Sequence, residues 1–261
     1  MRGEFCIGLG SVLSLASLIL LIFVHVGQIN TTSVPRNIYM VNLDTSGYQE
    51  SLFLALGQNN FSNVYARDSA APLGEHLGLR HNYYYGLYSY CGYLTRDETS
   101  EGQCTQHVMG YRYQPLSTML ADLPRNLSSL SESFIPQITP FTDTDYSGQS
   151  TKAAYWMVLL GTVCAALAFA TGIPKNNFTF CLSTLFAVAG SFLLLVGASI
   201  WTVVINRTDD VNQLLTAAAN KSVPLGITVS MGHGVIILWV AFATLAASIV
   251  PYMISCCTWR G

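Results

Sequence analysis

Four long apolar runs, Cys6–Ile29, Ala153–Ile173, Phe178–Ile205 and Leu225–Ile254, contain no Asp, Glu, Lys or Arg. Each is long enough to cross a hydrocarbon core as a helix, which takes about 20 residues. A helix buried in a water-soluble domain would carry a polar stripe at helical period, and these runs do not. They predict four transmembrane helices, and their spacing sets the rest of the organisation. Residues 1–5 form a short amino terminus. The one long polar loop, 30–152, separates the first two spans, a turn at 174–177 separates the second and third, and a shorter loop at 206–224 precedes the last. Residues 255–261 form a short tail.

The first run has an alternative reading as a cleaved signal peptide with Arg2 in its charged leader. Its apolar stretch exceeds the usual ~7–15-residue core of a signal peptide, and no small-x-small cleavage site follows His25. A retained span is the favoured reading.

Half of the chain is hydrophobic (51%), only 10% is charged, and the net charge is −2. Every acidic residue except Glu4 falls outside the spans on the side of the long loop. That acidic balance argues against nucleic acid as a partner there. Positive charge marks the other side, at Arg2, Lys175 and Arg260, so both termini are expected to be cytosolic. Asn-x-Ser/Thr tripeptides occur at Asn30, Asn60, Asn126, Asn177, Asn206 and Asn220, and all but Asn177 lie on the long-loop side. Such tripeptides also arise by chance. Asn60 and Asn126, well inside the long loop, are the candidate glycosylation sites.

Cys91 and Cys104 are the only cysteines of the long loop. An even count facing an oxidising compartment makes a disulfide the default, worth about 3 kcal/mol in the chain-entropy model. A zinc site would need two further ligands, and His76, His81 and His107 lack ligand spacing, so no metal and no cofactor is expected. Cys256 and Cys257 end the last span, with Cys6 at the matching edge of the first. Cys256 and Cys257 are candidate acylation sites; the plain alternative is that they are small apolar residues.

The densest aromatic patch places Tyr83, Tyr84, Tyr85, Tyr88, Tyr90 and Tyr93 around Cys91. Such a run suits a strand whose rings pack across a sheet or rest at headgroup level. A protein or glycan contact surface is the other reading, since tyrosine joins an apolar face to a hydroxyl.

Gly86-Leu87-Tyr88, Tyr90-Cys91 and then Cys104, in the first large loop of a four-span chain, resemble the Gly-Leu-aromatic, Cys, Cys signature of the claudin superfamily. The match is closer to its fungal branch, the cortical-patch (eisosome) tetraspan proteins and PalI-type pH-response regulators. There an aromatic-rich stretch ending in Pro follows the second cysteine, here Gly110 to Pro115, and an early Ile-Tyr-hydrophobic segment matches Ile38-Tyr39-Met40. Tyr88 stands where animal claudins carry Trp, so cell-junction formation is not implied. The tail beyond Tyr252 is short, so the signalling of PalI-type regulators is not implied either.

The resemblance implies a membrane α-helical, claudin-like fold: a four-transmembrane-helix bundle with a small extracellular antiparallel β-sheet. Phe178–Ile205 would make a helix of about 42 Å at 1.5 Å per residue, longer than a ~30 Å core, so it must tilt or protrude. Thr208-Asp209-Asp210 reads as the cap of a short amphipathic helix through Ala219. Within the long loop, strand-like pieces fall in 35–63 and 83–113, a helical stretch broken at Pro124 runs from Ser117 to Phe134, and 135–150 reads as a Thr/Pro/Asp linker. Small residues at Gly226, Ser230 and Gly234, and at Gly190 and Gly197, mark faces where helices can approach closely. Trp156 and Trp201 read as interfacial aromatics toward the outside, Tyr252 and Trp259 toward the inside.

His25 and His233 are the ionisable groups within the spans. A pH-sensing pair is one reading, and a neutral histidine bonded to a neighbouring helix is the other. With no acidic partner in any span, neither a pump nor a proton-coupled transporter is expected. The sequence has no Gly-rich phosphate loop, no His-Glu-x-x-His and no Gly-x-Ser-x-Gly elbow, so no enzyme is expected. The resemblance implies a multi-pass plasma-membrane organiser of cortical patches that supports cell-wall assembly or endocytosis. Its partners would be membrane lipids, other integral plasma-membrane proteins and further copies of itself. The alternative is an accessory subunit of a channel or wall-polysaccharide synthase.

Overall fold

The computed structural model describes residues 2–56, 63–95, 101–135, 139–174, 177–218 and 221–258. In chain order the elements are α1 (Arg2–Val26), α2 (Ser33–Asn37), β1 (Val41–Asp44), α3 (Tyr48–Leu56), β2 (Asn82–Tyr85), β3 (Tyr90–Tyr93), β4 (Gly102–Cys104), α4 (Pro115–Asp122) and α5 (Arg125–Phe134). They continue with α6 (Thr144–Gly172), α7 (Asn177–Thr208), a 3-10 turn (Asp209–Gln213), β5 (Leu215–Ala218), β6 (Lys221–Pro224), β7 (Thr228–Met231) and α8 (His233–Thr258). Four of these helices are long and apolar enough to cross a membrane, with spans at Gly8–Val26, Thr144–Gly172, Phe178–Gln213 and His233–Cys256.

The chain divides into two compact units. The first is helical and comprises Met1–His25, Ala153–Trp201 and Gly234–Gly261. Its helices meet at small residues, as expected where lipid supplies no hydrophobic drive between them. A Cβ at Gly161 would come within 2.7 Å of Leu194, and one at Gly190 within 3.0 Å of both Cys164 and Leu245. Hydroxyls add bonds between helices: Ser17 Oγ donates to the Ala241 carbonyl at 2.7 Å, and the Ser14 and Tyr252 hydroxyls meet at 2.8 Å. Tyr252, expected at the lipid headgroups, is instead fully buried against Gly10 and Gly172, because those glycines leave room for a ring inside the bundle.

The second unit, Val26–Lys152 with Thr202–His233, is polar. Its core is a five-stranded antiparallel sheet in the order β4-β3-β2-β1-β7, accompanied by the β5–β6 hairpin. β1 is the hinge of the topology: Leu43 pairs with Tyr83 on one side and with Val229 on the other.

Three expectations are corrected here. The apolar run 225–254 is not one helix, since Thr228–Met231 is a strand and the helix begins at His233. Gly226 and Ser230 are therefore not helix-packing residues. Gly226 turns with φ +71, a conformation open to glycine, where a Cβ would lie 2.3 Å from the Gly47 carbonyl oxygen; Ser230 pairs with Asn42 in the sheet. Gly234 alone of the three is on the helix, buried in its first turn. Hydropathy cannot separate a short uncharged strand from the span it leads into.

Residues 144–150 are the start of α6 rather than a linker, because Asp143 Oδ1 accepts the Tyr146 N–H at 3.1 Å and caps the helix. The segment after Thr208 makes only one 3-10 turn before the β5–β6 hairpin, in place of the expected amphipathic helix. The break at Pro124, between α4 and α5, falls where the sequence placed it.

Candidate functional site

The residues singled out around Cys91 converge in the polar unit on the β2–β3 hairpin. Gly86 opens its turn by donating its N–H to the Ser89 carbonyl at 2.9 Å. A side chain at Gly86 would place a Cβ 2.6 Å from the Gly27 carbonyl oxygen and 2.8 Å from Gln28 Cβ, so the turn lies directly on the chain that follows α1. Leu87 is buried beside it and Tyr88 is half-buried. Cys91 and Cys104 face each other as a register pair between β3 and β4, their Cα atoms 4.0 Å apart and their sulfurs at bonding distance. Pro115 occupies the first turn of α4, where its missing N–H costs nothing.

Gln28 holds this arrangement together, and nothing in the sequence marks it out. It adopts a left-handed backbone (φ 57) and is fully buried. Its amide Nε2 donates to the carbonyls of Pro35 (2.9 Å) and Arg36 (2.6 Å), while its backbone carbonyl accepts the Ser89 hydroxyl at 2.6 Å. The side chain and the backbone of one residue thus tie the segment after α1 to the motif hairpin.

The tyrosines are core rather than surface. Tyr83, Tyr85 and Tyr93 are fully buried and Tyr90 nearly so. Tyr85 packs edge-on to Tyr113 at 4.8 Å, and Tyr39 stacks on Tyr84 at 4.5 Å. The guanidinium of Arg36 sits 4.2 Å from the Tyr93 ring centre. Burial pushes the Tyr93 phenol up to about 12, partly offset by the Arg36 charge, and drives Tyr83 and Tyr85 further up. These hydroxyls stay protonated at physiological pH, as packing groups rather than acids or nucleophiles.

Behind the sheet lies a buried polar relay. The Arg80 backbone N–H donates to the Tyr83 hydroxyl at 2.9 Å, and that hydroxyl donates to Asp122 Oδ2 at 2.6 Å. The other Asp122 oxygen accepts the Gly74 N–H. The Arg80 side chain is itself buried and donates to the carbonyls of Asp68 (2.7 Å) and Ala71. Burial raises the Asp122 carboxyl above its ordinary value, against the pull of the Tyr83 and Gly74 hydrogen bonds. These contacts link the irregular segment before β2 to the end of α4.

The remaining expected sites fall apart from the hairpin. His25 Nε2 lies 2.9 Å from the Thr162 hydroxyl on a neighbouring helix, and His233 packs edge-on to Tyr39, so each has its own partner. His76 Nδ1 meets the Leu123 carbonyl at 2.7 Å, and His107 Nε2 meets that of Ile29 at 2.8 Å. Among the described residues no three His, Cys, Asp or Glu side chains gather as metal ligands. A cavity of about 490 Å³ is lined by residues including Asp143, Tyr146 and Arg207, with the guanidinium 4.8 Å from the Tyr146 ring centre. Asn126 is exposed in the first turn of α5, Asn30 and Asn206 are exposed, and Asn60 and Asn220 lie outside the described residues.

Cys256 departs from expectation. Its sulfur is at bonding distance from Cys181, with Cα atoms 5.2 Å apart, so in this state it offers no free thiol for acylation. The side chain of Cys257, like Trp259, lies outside the described residues.

Comparison with known proteins places this geometry. The profile of the SUR7/PalI family matches residues 6–250, which include the first three spans, most of the fourth, the sheet and the cysteine hairpin. The chain belongs to the SUR7/PalI family. It is a four-span membrane protein with a small antiparallel sheet, as a claudin-like member of that family should be. No curated protein matches the chain. The residues that carry the resemblance thus have a structural explanation: Gly86 for close approach, the cysteines for the β3–β4 register, and the aromatics for the sheet core.

Proposed function

We propose that this protein is a non-enzymatic organiser of plasma-membrane domains, of the eisosome type, that supports cell-wall assembly or endocytosis. The observation that carries the reading is the family match across residues 6–250, which takes in both units rather than one motif. The internal use of the polar unit's buried groups supports it: Tyr83, Tyr85 and Tyr93 are core, Asp122 is bonded to Tyr83 and Gly74, and the Gln28 amide is spent on carbonyls. What remains for recognition is the outer surface. In this reading both termini are cytosolic, the polar unit is extracellular, and Asn126 is an exposed glycan acceptor on it. Partners are membrane lipids, further copies of the chain and other integral membrane proteins of the same patches.

The test is in-cell crosslinking, purification in mild detergent and mass spectrometry, with fluorescence recovery of a tagged form. Many substoichiometric cortical proteins, self-crosslinks and immobile patches are expected. One large membrane protein at near-equal abundance would make the chain an accessory subunit of a channel or synthase instead, and uniform diffusion would end the organiser reading.

A further inference from the structure

Chain order separates the two cysteine pairs by a spanning helix. Cys91 and Cys104 precede α6, whereas Cys181 lies in the second turn of α7 and Cys256 in the last turn of α8. Once α6 crosses the bilayer, the two pairs meet different compartments, and only the outer one keeps disulfides oxidised by default. We propose that Cys181–Cys256 is a reversible dithiol/disulfide modification site on the reducing side, whose closed form withholds Cys256 from thioacylation. The proposal rests on the cytosolic orientation of the termini given above.

The geometry carries it in three ways. The Cα separation of 5.2 Å lies inside the range that accepts a disulfide, so the bond can close without backbone movement. Cys181 is exposed and Cys256 half-exposed, and together with Thr184 and Met253 they line a shallow cavity of about 180 Å³. A small thiol or disulfide can therefore reach the sulfurs. The bond joins the start of α7 to the end of α8, so closing it fixes two spans to each other, and opening it frees Cys256 beside the chain terminus. Cys164, free and outside both pairs, provides an internal control.

The chemistry needs only a low-molecular-weight disulfide of the glutathione class. The more exposed Cys181, as thiolate, attacks one sulfur of that disulfide; a mixed disulfide forms and one small thiolate leaves. The Cys256 thiolate then attacks Cys181 Sγ, the intramolecular bond forms and the second small thiolate leaves. The two protein thiols release two protons, which the departing thiolates take up, and two electrons pass to the small disulfide. Reduction runs the same steps backward. A sulfur in this bond cannot carry a thioester, so the two fates of Cys256 exclude each other.

The experiment is differential alkylation and peptide mapping of the full-length protein from intact cells, before and after a brief thiol oxidant and then a membrane-permeant reductant. The bridged fraction of Cys181 and Cys256 is expected to move from a minority to a majority and back, with Cys91–Cys104 closed before and during the oxidant and Cys164 unpaired. Cys181→Ser is expected to raise thioester occupancy at Cys256 with Cys257 unchanged. The proposal is overturned if the pair stays dithiol under oxidant, if it stays bridged under permeant reductant, or if Cys181→Ser leaves Cys256 occupancy unaltered. Exclusion of a membrane-impermeant maleimide from Cys257 scores the orientation separately: if Cys257 is protected and the pair never closes, this inference alone fails. If Cys257 is labelled, the orientation fails and the inference with it.

Discussion

The two units solve the same problem with opposite materials. In the helical unit close packing comes from what is missing: Gly161 and Gly190 leave room for leucines, and serine hydroxyls borrow carbonyls from the next helix. In the polar unit it comes from bulk and buried polarity, with tyrosines stacked across a sheet and Arg80, Tyr83 and Asp122 linked beneath it. The difference follows from solvent. Water rewards the burial of large aromatic surface, while lipid gives no such reward and leaves dispersion and close approach to do the work. Substitutions in the polar unit should therefore cost more than those in the helical unit.

The largest effect is expected from Cys91→Ser or Cys104→Ser, about 3 kcal/mol each by lost chain constraint, read as retention in the secretory pathway and a lowered melting temperature in detergent. The double change should be no worse than either single one, and normal surface arrival of both single variants would show the bridge to be dispensable. Next comes Gly86→Ala, roughly 2–3 kcal/mol of overpacking, because the atom it meets at 2.6 Å is backbone and cannot swing aside. Urea unfolding of the purified protein measures it; a midpoint unchanged from wild type would mean that the turn can lift off Gln28.

Asp122→Ala should cost about 2 kcal/mol by leaving the Tyr83 hydroxyl and the Gly74 N–H without an acceptor. The same carboxyl predicts a pH slope. Its pKa is raised in the folded state, so its contribution is fully present below the ordinary value of 3.8 and is lost as pH rises through the raised value. Thermal unfolding across acidic pH should show that decline in the wild type and a flatter profile in Asp122→Asn. Equal slopes would assign the dependence to other groups. Smallest is Ser17→Ala in the helical unit, about 0.6 kcal/mol for one hydrogen bond between spans. A loss as large as that of Asp122→Ala would break the contrast between the units.

The sequence was readable where a signal is local and one-dimensional. Uncharged apolar runs mark spans because lipid tolerates nothing else, and alternating tyrosines beside a lone cysteine pair mark strands. It was unreadable where a residue's meaning lies in a distant partner. Gln28 looks like the polar end of a span until Ser89 arrives beside its carbonyl, and Asp122 looks like an ordinary surface acid until Tyr83 covers it. Thr228–Met231 misled for a different reason, since a short uncharged strand that runs straight into a spanning helix carries no local mark of the change. α3 (Tyr48–Leu56) falls inside a stretch read as strand-like although its Gln, Glu, Leu and Ala residues favour helix.

The pairing of β1 with β7 also sets a timetable for biogenesis. Val41 meets Met231 across almost the whole length of the chain, whereas β1, β2, β3 and β4 follow one another closely. Most of the sheet can zip up while the ribosome is still making the middle spans. The outer side of Val41–Asp44 must wait, with its amides and carbonyls unclaimed, until the segment just ahead of the final span is delivered. A chain that ends before Thr228 therefore leaves that strand edge open.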